Sequence, residues 1–468
     1  MQNGTSIWTS WVHAGAIMIA LMVAGAAPAF AVPAVPPLPA RPPAPSQPPA
    51  PPAPAPAAKP AQPPTPKVSA PTPKGSQSPA KPVAAETPFQ AIERGKILAD
   101  VRYRFEHVEQ DGIANKADAH TVRARLGFQT AKFWNTQVLV EGEAVGQLNE
   151  RFNDTVNGKT TFPIVSDPED LQLNRLQLDF TGIPGNAITV GRQRINLDNQ
   201  RFVGGVAFRQ NEQTFDAARI TNTAIPHLSA TYIYLHRVNR IFGEDSNQGS
   251  FTGDTHLVNA GYDIKDWGKL TGYAYFLDLS SAPALSTESF GVRFAGRHGL
   301  SPGLSALYAG EYARQKPYAD NPGTFELDYW LAEAGLAIRE FKLLAGQESL
   351  EGDGTRGFST PLATLHKFQG FADVFLTTPA NGINDRYGTL SYETKFTKAG
   401  PIAGLMAAIT YHDYEAERGG ASLGKEINAE LVLRIGKRWS IGAKVADYDG
   451  DGVLADRRKF WFPIEFVY

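Results

Sequence analysis

Arginine recurs at two-residue spacing in this chain, at Arg102 and Arg104, at Arg123 and Arg125, and at Arg192 and Arg194. Glutamate does the same at Glu141 and Glu143. Successive side chains of an extended chain point to opposite faces, so each pair shares one face of a strand. A row of guanidinium groups on one face has a definite chemistry. The planar fork takes a carboxylate or phosphate in a bidentate grip, and a ring of such groups in a pore selects anions. The competing chemistry is pairing, in which arginines and glutamates of adjacent strands brace the wall they share. For any one residue both readings stay open, and for the set selectivity is modestly favoured.

The elements that must carry these residues are short and alternating. From Ile97 onward, polar and apolar residues alternate in segments of about ten residues, the length of a tilted transmembrane strand. Parity assigns the faces. Asp100, Arg102, Arg104 and Glu106 oppose Val101, Tyr103 and Phe105; Arg123, Arg125 and Gln129 oppose Val122, Ala124, Leu126 and Phe128. Gln137, Glu141 and Glu143 share the inner parity, as do Arg175, Gln177 and Asp179 against Leu176, Leu178 and Phe180. Arg293, Glu393, Lys395, Glu426, Glu430 and Arg434 repeat it later. At the end of the chain, Phe460, Phe462, Ile464, Phe466 and Tyr468 form one wholly apolar and aromatic face. That pattern fits the closing strand of an outer-membrane barrel, with the last tyrosine at the interface.

Connections between segments alternate in length. Short ones fall at Ala131-Lys132, 181–186, 222–227, 265–268, 297–303, Arg339-Glu340, 397–401 and 436–438. Long polar ones fall at 147–169, 239–255, 315–325 and 349–385. Tight periplasmic turns and long external loops produce this alternation. The expected fold is therefore all-β: a transmembrane antiparallel barrel over 95–468 with about eighteen strands, or sixteen if two weak segments are loop. The weakest evidence for a strand is at Val206 to Phe208 and its continuation Phe215 to Thr221. A lumen as charged as this one is either water-filled or densely ion-paired.

Composition agrees. The chain of 468 residues has no cysteine and a formal charge of −2, which excludes thiolate chemistry and gives no argument for nucleic acid. No apolar run is long enough for a membrane-spanning helix, so a membrane protein of this sequence is a closed barrel. Ala14 to Ala27 followed by Ala29-Phe30-Ala31 reads as a signal peptide over 1–31, although no lysine or arginine precedes it. Residues 32–94 are rich in proline and alanine and read as a disordered periplasmic spacer. The alternative is that its lysines touch the cell wall or a periplasmic partner.

Other motifs are weaker. Asp447, Asp449 and Asp451 supply the first half of a calcium loop, but Arg458 stands where a bidentate glutamate is needed, so an acidic external turn is preferred. The nine histidines form no ligand spacing, and no phosphate-cradling or nucleophile-elbow motif is present. No cofactor and no enzymatic activity are expected.

Two stretches go beyond a generic barrel. One runs from Gly191-Arg192-Gln193-Arg194 through Arg201-Phe202-Val203-Gly204 to Phe208-Arg209-Gln210-Asn211-Glu212-Gln213-Thr214-Phe215-Asp216. The other is Leu365-His366-Lys367-Phe368-Gln369-Gly370-Phe371-Ala372-Asp373, followed by Asn381-Gly382-Ile383-Asn384-Asp385. Both resemble the alginate-export family of outer-membrane proteins, with Phe371 where a tryptophan is expected and a proline-rich leader outside the family's pattern. The resemblance implies an eighteen-stranded monomeric barrel with an electropositive, arginine-lined constriction that passes an anionic polysaccharide. It assigns Arg192, Arg194, Arg201 and Arg209 to the constriction, and His366, Lys367, Asp373 and Asp385 to anchoring an infolded loop. The expected setting is a Gram-negative outer membrane, with its lipid and lipopolysaccharide as partners. The expected function is a channel for an anionic polymer; a general or anion-selective porin for small nutrients is the alternative.

Overall fold

The computed structural model describes residues 85–396 and 400–468; the signal peptide and most of the proline-rich stretch lie outside them. Strands β1 to β9 run Lys96–Gln110, Ala117–Gln129, Thr136–Gln147, Asp170–Phe180, Asn186–Gln193, Thr214–Asn222, Leu228–Asn239, Ser250–Ile264 and Gly268–Leu277. Strands β10 to β18 run Thr287–Ser301, Leu304–Pro317, Leu327–Ile338, Phe341–Leu350, Ile383–Lys395, Ile402–Glu415, Ser422–Ile435, Trp439–Asp449 and Arg457–Val467.

Each strand pairs antiparallel with its neighbours in sequence, and β18 pairs with β1 to close an eighteen-stranded barrel. The alternation of the chain dictates this closure. Phe460, Phe462, Ile464 and Phe466 stand opposite His107, Phe105, Tyr103 and Val101 on the outside, while Trp461, Pro463 and Glu465 stand opposite Glu106, Arg104 and Arg102 inside. Exposed Leu126, Val140, Leu178, Val190, Val292, Leu343, Leu390, Ile409 and Leu431 belong to the apolar outer band. Exposed Trp134, Trp267, Trp439 and Tyr468 lie at the strand ends near the short turns, as an aromatic girdle does. Lipid offers no partner to open backbone groups, and a closed barrel leaves none open. The protein is a transmembrane barrel of the Gram-negative outer membrane.

Two details differ from the expected boundaries. β10 runs on to Ser301, so the turn expected over 297–303 tightens to its last residues. Residues 85–94, grouped by composition with the spacer, are ordered against the barrel. Helix α1 (Pro88–Glu93) is capped by Thr87, and the Ala131 amide donates to its Ala91 carbonyl.

The lumen is not an open tube. Loops 194–213 and 351–382 fold into it and bridge to each other at Val203 and Leu362. The segment around Val206 is therefore loop rather than strand. Their apolar residues build a core inside the barrel: Phe202 packs against Tyr273, Tyr275, Tyr329 and Phe358 of the wall and the second loop.

Candidate functional site

Inner arginines of the β18–β1–β2 wall are taken up by the first loop and by neighbouring carboxylates. Arg102 donates from Nε to Gln210 Oε1 (2.9 Å) and from Nη1 to the Ala207 carbonyl (3.0 Å), and its Nη2 reaches the Arg209 carbonyl. Arg104 donates to the Phe208 carbonyl (2.5 Å) and pairs with Asp167, with Glu106 at 3.3 Å. Arg123 binds Asp100 (2.5 Å) and Glu465 (3.1 Å); Arg125 pairs with Glu143. Glu143 also accepts from the Glu212 amide (3.1 Å), so the glutamate pair holds loop backbone as well as arginine. Glu141 takes both forks of Arg175. A bulge in β4 makes this possible, because the register shift turns both Asn174 and Arg175 inward. Asp179 accepts from Thr189 Oγ1 (2.7 Å) further down the same wall.

Of the two readings left open for Arg102, Arg104, Arg123 and Arg125, their partners favour bracing, and each is below one-tenth exposed. A buried guanidinium in a dry wall is costly unless its donors are met; loop carbonyls meet donors of Arg102, Arg104 and Arg125, while the Nε of Arg104 and of Arg123 has no partner. Arg209 joins the same network, with Glu106 at 3.2 Å and Asp373 at 3.0 Å. Arg194 forks onto Glu212. Arg192 departs from the expectation altogether. It stands opposite Leu176 and Asp216, on the face shared with Val190 and Ile188, so it points out of the barrel and pairs with Asp216 (2.7 Å). Arg434 faces inward but sits at the periplasmic end, half exposed and 3.4 Å from Glu393.

The second loop is anchored by His366 and Asp373. His366 Nδ1 lies 2.6 Å from Asp373 Oδ1, and Lys444 Nζ lies 2.9 Å from His366 Nε2. These partners fix the neutral tautomer, with Nδ1–H donating to the carboxylate and Nε2 accepting from the ammonium group. Burial pushes the imidazole pKa down to about 3, against the pull of Asp373 and with the help of Lys444. Lys459 adds a second cation on Asp373 at 2.8 Å. Lys367 donates to the Asn199 carbonyl (3.0 Å), tying one loop to the other. Asp385 lies in β14 on the inner wall and bonds His412 of β15 (2.9 Å) rather than a residue of the loop. Loop backbone is strained where the loops meet. Val206, β-branched, sits at φ 50°, which costs about 1–3 kcal/mol. Gly370, at φ 78°, passes so close to Glu426 and Tyr414 that a side chain would collide with them.

Among the cavities beside the loops, two flank the turn at 365–367. The outer one, about 440 Å³, is lined by Arg201, Arg240 and Arg356 with Phe251, Phe325, Phe358, Leu365 and loop residues 357–361, and by no carboxylate. Arg240 lies 4.2 Å over the Phe251 ring and Arg356 4.6 Å over Phe325, so their N–H edges are held without an acidic partner. Burial lowers the Arg240 pKa to about 10. The inner chamber, about 410 Å³, holds Arg293 and Lys367 among Glu333, Glu348 and Asp385. Arg293 is paired with Glu311 at 2.6 Å.

Between the chambers lie the 3-10 turn Leu365–Lys367 and the pair Arg201–Glu348, 3.2 Å apart. Leu365 and Arg201 line the outer chamber; Lys367, Phe368 and Glu348 line the inner one. Arg201 is 2 % exposed, and its Nε and Nη1 have no hydrogen-bond partner. Glu348 accepts from Tyr329 Oη (2.8 Å) and from Gln369. Arg240 and Arg356 were missed by sequence reasoning because loop residues obey no parity.

The possible calcium ligands do not converge. Asp447 pairs with Arg458 (2.8 Å) on the outer face, and Asp451 accepts from Ser422 Oγ (2.6 Å). Among the described residues no cluster of metal-ligating side chains is present.

No protein-family model and no curated protein matches the chain. Solved structures do. Pseudomonas aeruginosa OpdO aligns over 81% of this chain and 98% of its own at 14% identity and a TM-score of 0.59. Acinetobacter baumannii OccAB4 aligns over 82% of this chain and 100% of its own at 13% identity and a TM-score of 0.62. Pseudomonas aeruginosa OpdK, solved with vanillate, aligns over 80% and 98% at 12% identity and a TM-score of 0.60. The chain has their barrel fold. The resemblance to alginate exporters is supported only at the level of an outer-membrane barrel.

Proposed function

We propose that the protein is an outer-membrane channel for small anionic solutes, carboxylates above all. The observation that carries this reading is the outer chamber, where three arginines face a cavity without a single acidic residue and one of them, Arg201, has its Nη1 without a partner. A carboxylate drawn to Arg240 and Arg356 would reach Arg201 and displace Glu348, exchanging one carboxylate for another at little net cost. Lys367 and Arg293 then receive it on the inner side, where Glu333, Glu348 and Asp385 weaken the hold and favour release. The aromatic residues around Arg201 suit a solute with a ring. That the OpdK structure contains vanillate, an aromatic carboxylate, agrees with this choice.

The turn and the Arg201–Glu348 pair stand between the two chambers, where a polymer would have to displace both. The likeness to Opd and Occ barrels also favours small solutes over export of an anionic polysaccharide. Single-channel recording separates the two. Benzoate or vanillate should interrupt the current in a concentration-dependent manner, while an oligouronate should leave it unchanged. Block by oligouronate with no response to benzoate would restore the polysaccharide reading.

A further inference from the structure

We propose that a third cavity, under the 194–213 loop, is a binding site for one small anion of halide or formate size. The cavity holds about 100 Å³, and Arg102, Arg104, Lys444, Phe208, Trp461 and Glu430 are among its lining residues. It shares no lining residue with the outer or inner chamber, so it lies off the route proposed above.

Its lining has more donors than acceptors. Trp461 is fully buried and Arg104 is 2 % exposed, yet neither the Trp461 Nε1 nor the Arg104 Nε has a hydrogen-bond partner. Orphaned buried donors of this kind are rare, because each costs the full desolvation of the group. Lys444 contacts His366 Nε2 and the faces of Phe371 and Phe208 but forms no ion pair among the described residues. Arg102 spends its donors on neutral acceptors, and its nearest carboxylate, Glu465, is 4.0 Å away. Arg104 already has Asp167 and Glu106 outside the lining, so the cation left without an ion pair is Lys444, and the one lining acid, Glu430, stands opposite it in the ladder without pairing to it.

The barrel wall makes room for the ion. Pro463 has no amide hydrogen, and the β17–β18 ladder skips from Ile441–Ile464 to Lys444–Trp461 around it. Gly442, Ala443 and Pro463 line the cavity at this gap. An anion there would accept from Arg104, Trp461 and Lys444 together. It would pair the ammonium group of Lys444 and fasten the loop backbone that Arg102 and Arg104 hold. A halide or a formate fits the volume.

Bromide tests this directly. Crystals of the intact protein soaked in sodium bromide should show an anomalous peak between Lys444, Arg104 and Trp461. Formate should displace it if carboxylates share the site with halides. Lys444→Met should remove the peak. Glu430→Gln, which takes away only the opposing acid, should lower the half-saturating bromide concentration roughly tenfold. Bromide peaks beside Arg240 and Arg356 with none in this cavity would overturn the proposal while leaving the channel reading intact. An unchanged bromide requirement in Glu430→Gln would overturn it as well.

Discussion

Arg104 and Arg201 are equally buried, at 2 % exposure, and both face inward, yet they belong to two different regions. Arg104 lies in the β18–β1–β2 wall, where loop carbonyls and carboxylates crowd the arginines. Arg201 lies on the infolded loop, where Arg240 and Arg356 rest on aromatic rings and line an acid-free chamber. The wall is electrostatically closed and the chamber is open. An inward arginine therefore says little about selectivity until its partners are known. The proposed function sets anion selection at the chamber beside bracing at the wall, within one lumen.

Breaking the closed side should have the largest effect on stability. Arg104→Met leaves Asp167, which is fully buried, without its principal partner, at a cost of about 3–5 kcal/mol. Thermal unfolding of the purified barrel should show this loss, and anion preference should be unchanged in the folded fraction. A lost preference with unchanged stability would reverse the assignment of the two regions.

The latch between the regions should respond to pH. The folded state holds His366 neutral, with its pKa pushed down to about 3 from an ordinary value near 6.5. The unfolded or detached loop binds the proton more readily, so this stabilisation is complete above about 6.5 and is lost as pH falls toward 3. At pH 5 the loss is about 2 kcal/mol. Protection factors in residues 351–382, each referred to intrinsic exchange at the same pH, should be lower at pH 5 than at pH 7.5, and His366→Phe should abolish the difference. Equal protection at both pH values in the parent protein would contradict it.

On the open side, Arg201→Gln should weaken block by benzoate roughly tenfold, the effect of losing one charged hydrogen-bonding partner. Titration of single-channel block measures it. Arg192→Ala should do least: an outward pair with Asp216 is worth about 1 kcal/mol or less, and neither selectivity nor block should move.

Much of this could be read from the sequence, because a barrel strand has a period of two and a lumen has two sides. Parity placed Arg102, Arg104, Arg123, Arg125, Glu141 and Glu143 inside. Parity could also have shown that Arg192 shares the face of Ile188 and Val190. Lys444 and Lys459 were legible too, since Lys459 alternates onto the side of Trp461 and Pro463. Partners were not legible. Arg104 meets Phe208 and Asp167 across loops whose paths follow no period, and Arg240 and Arg356 owe their place to loops alone.

The reversal potential of the purified barrel in a planar bilayer under a potassium chloride gradient tests the central claim. The outer chamber should make the parent protein anion-selective, and the variant carrying R201Q, R240Q and R356Q together should lose that preference. Arg192→Ala should keep it. Cation selectivity in the parent protein, or anion selectivity that survives the triple replacement, would contradict the account.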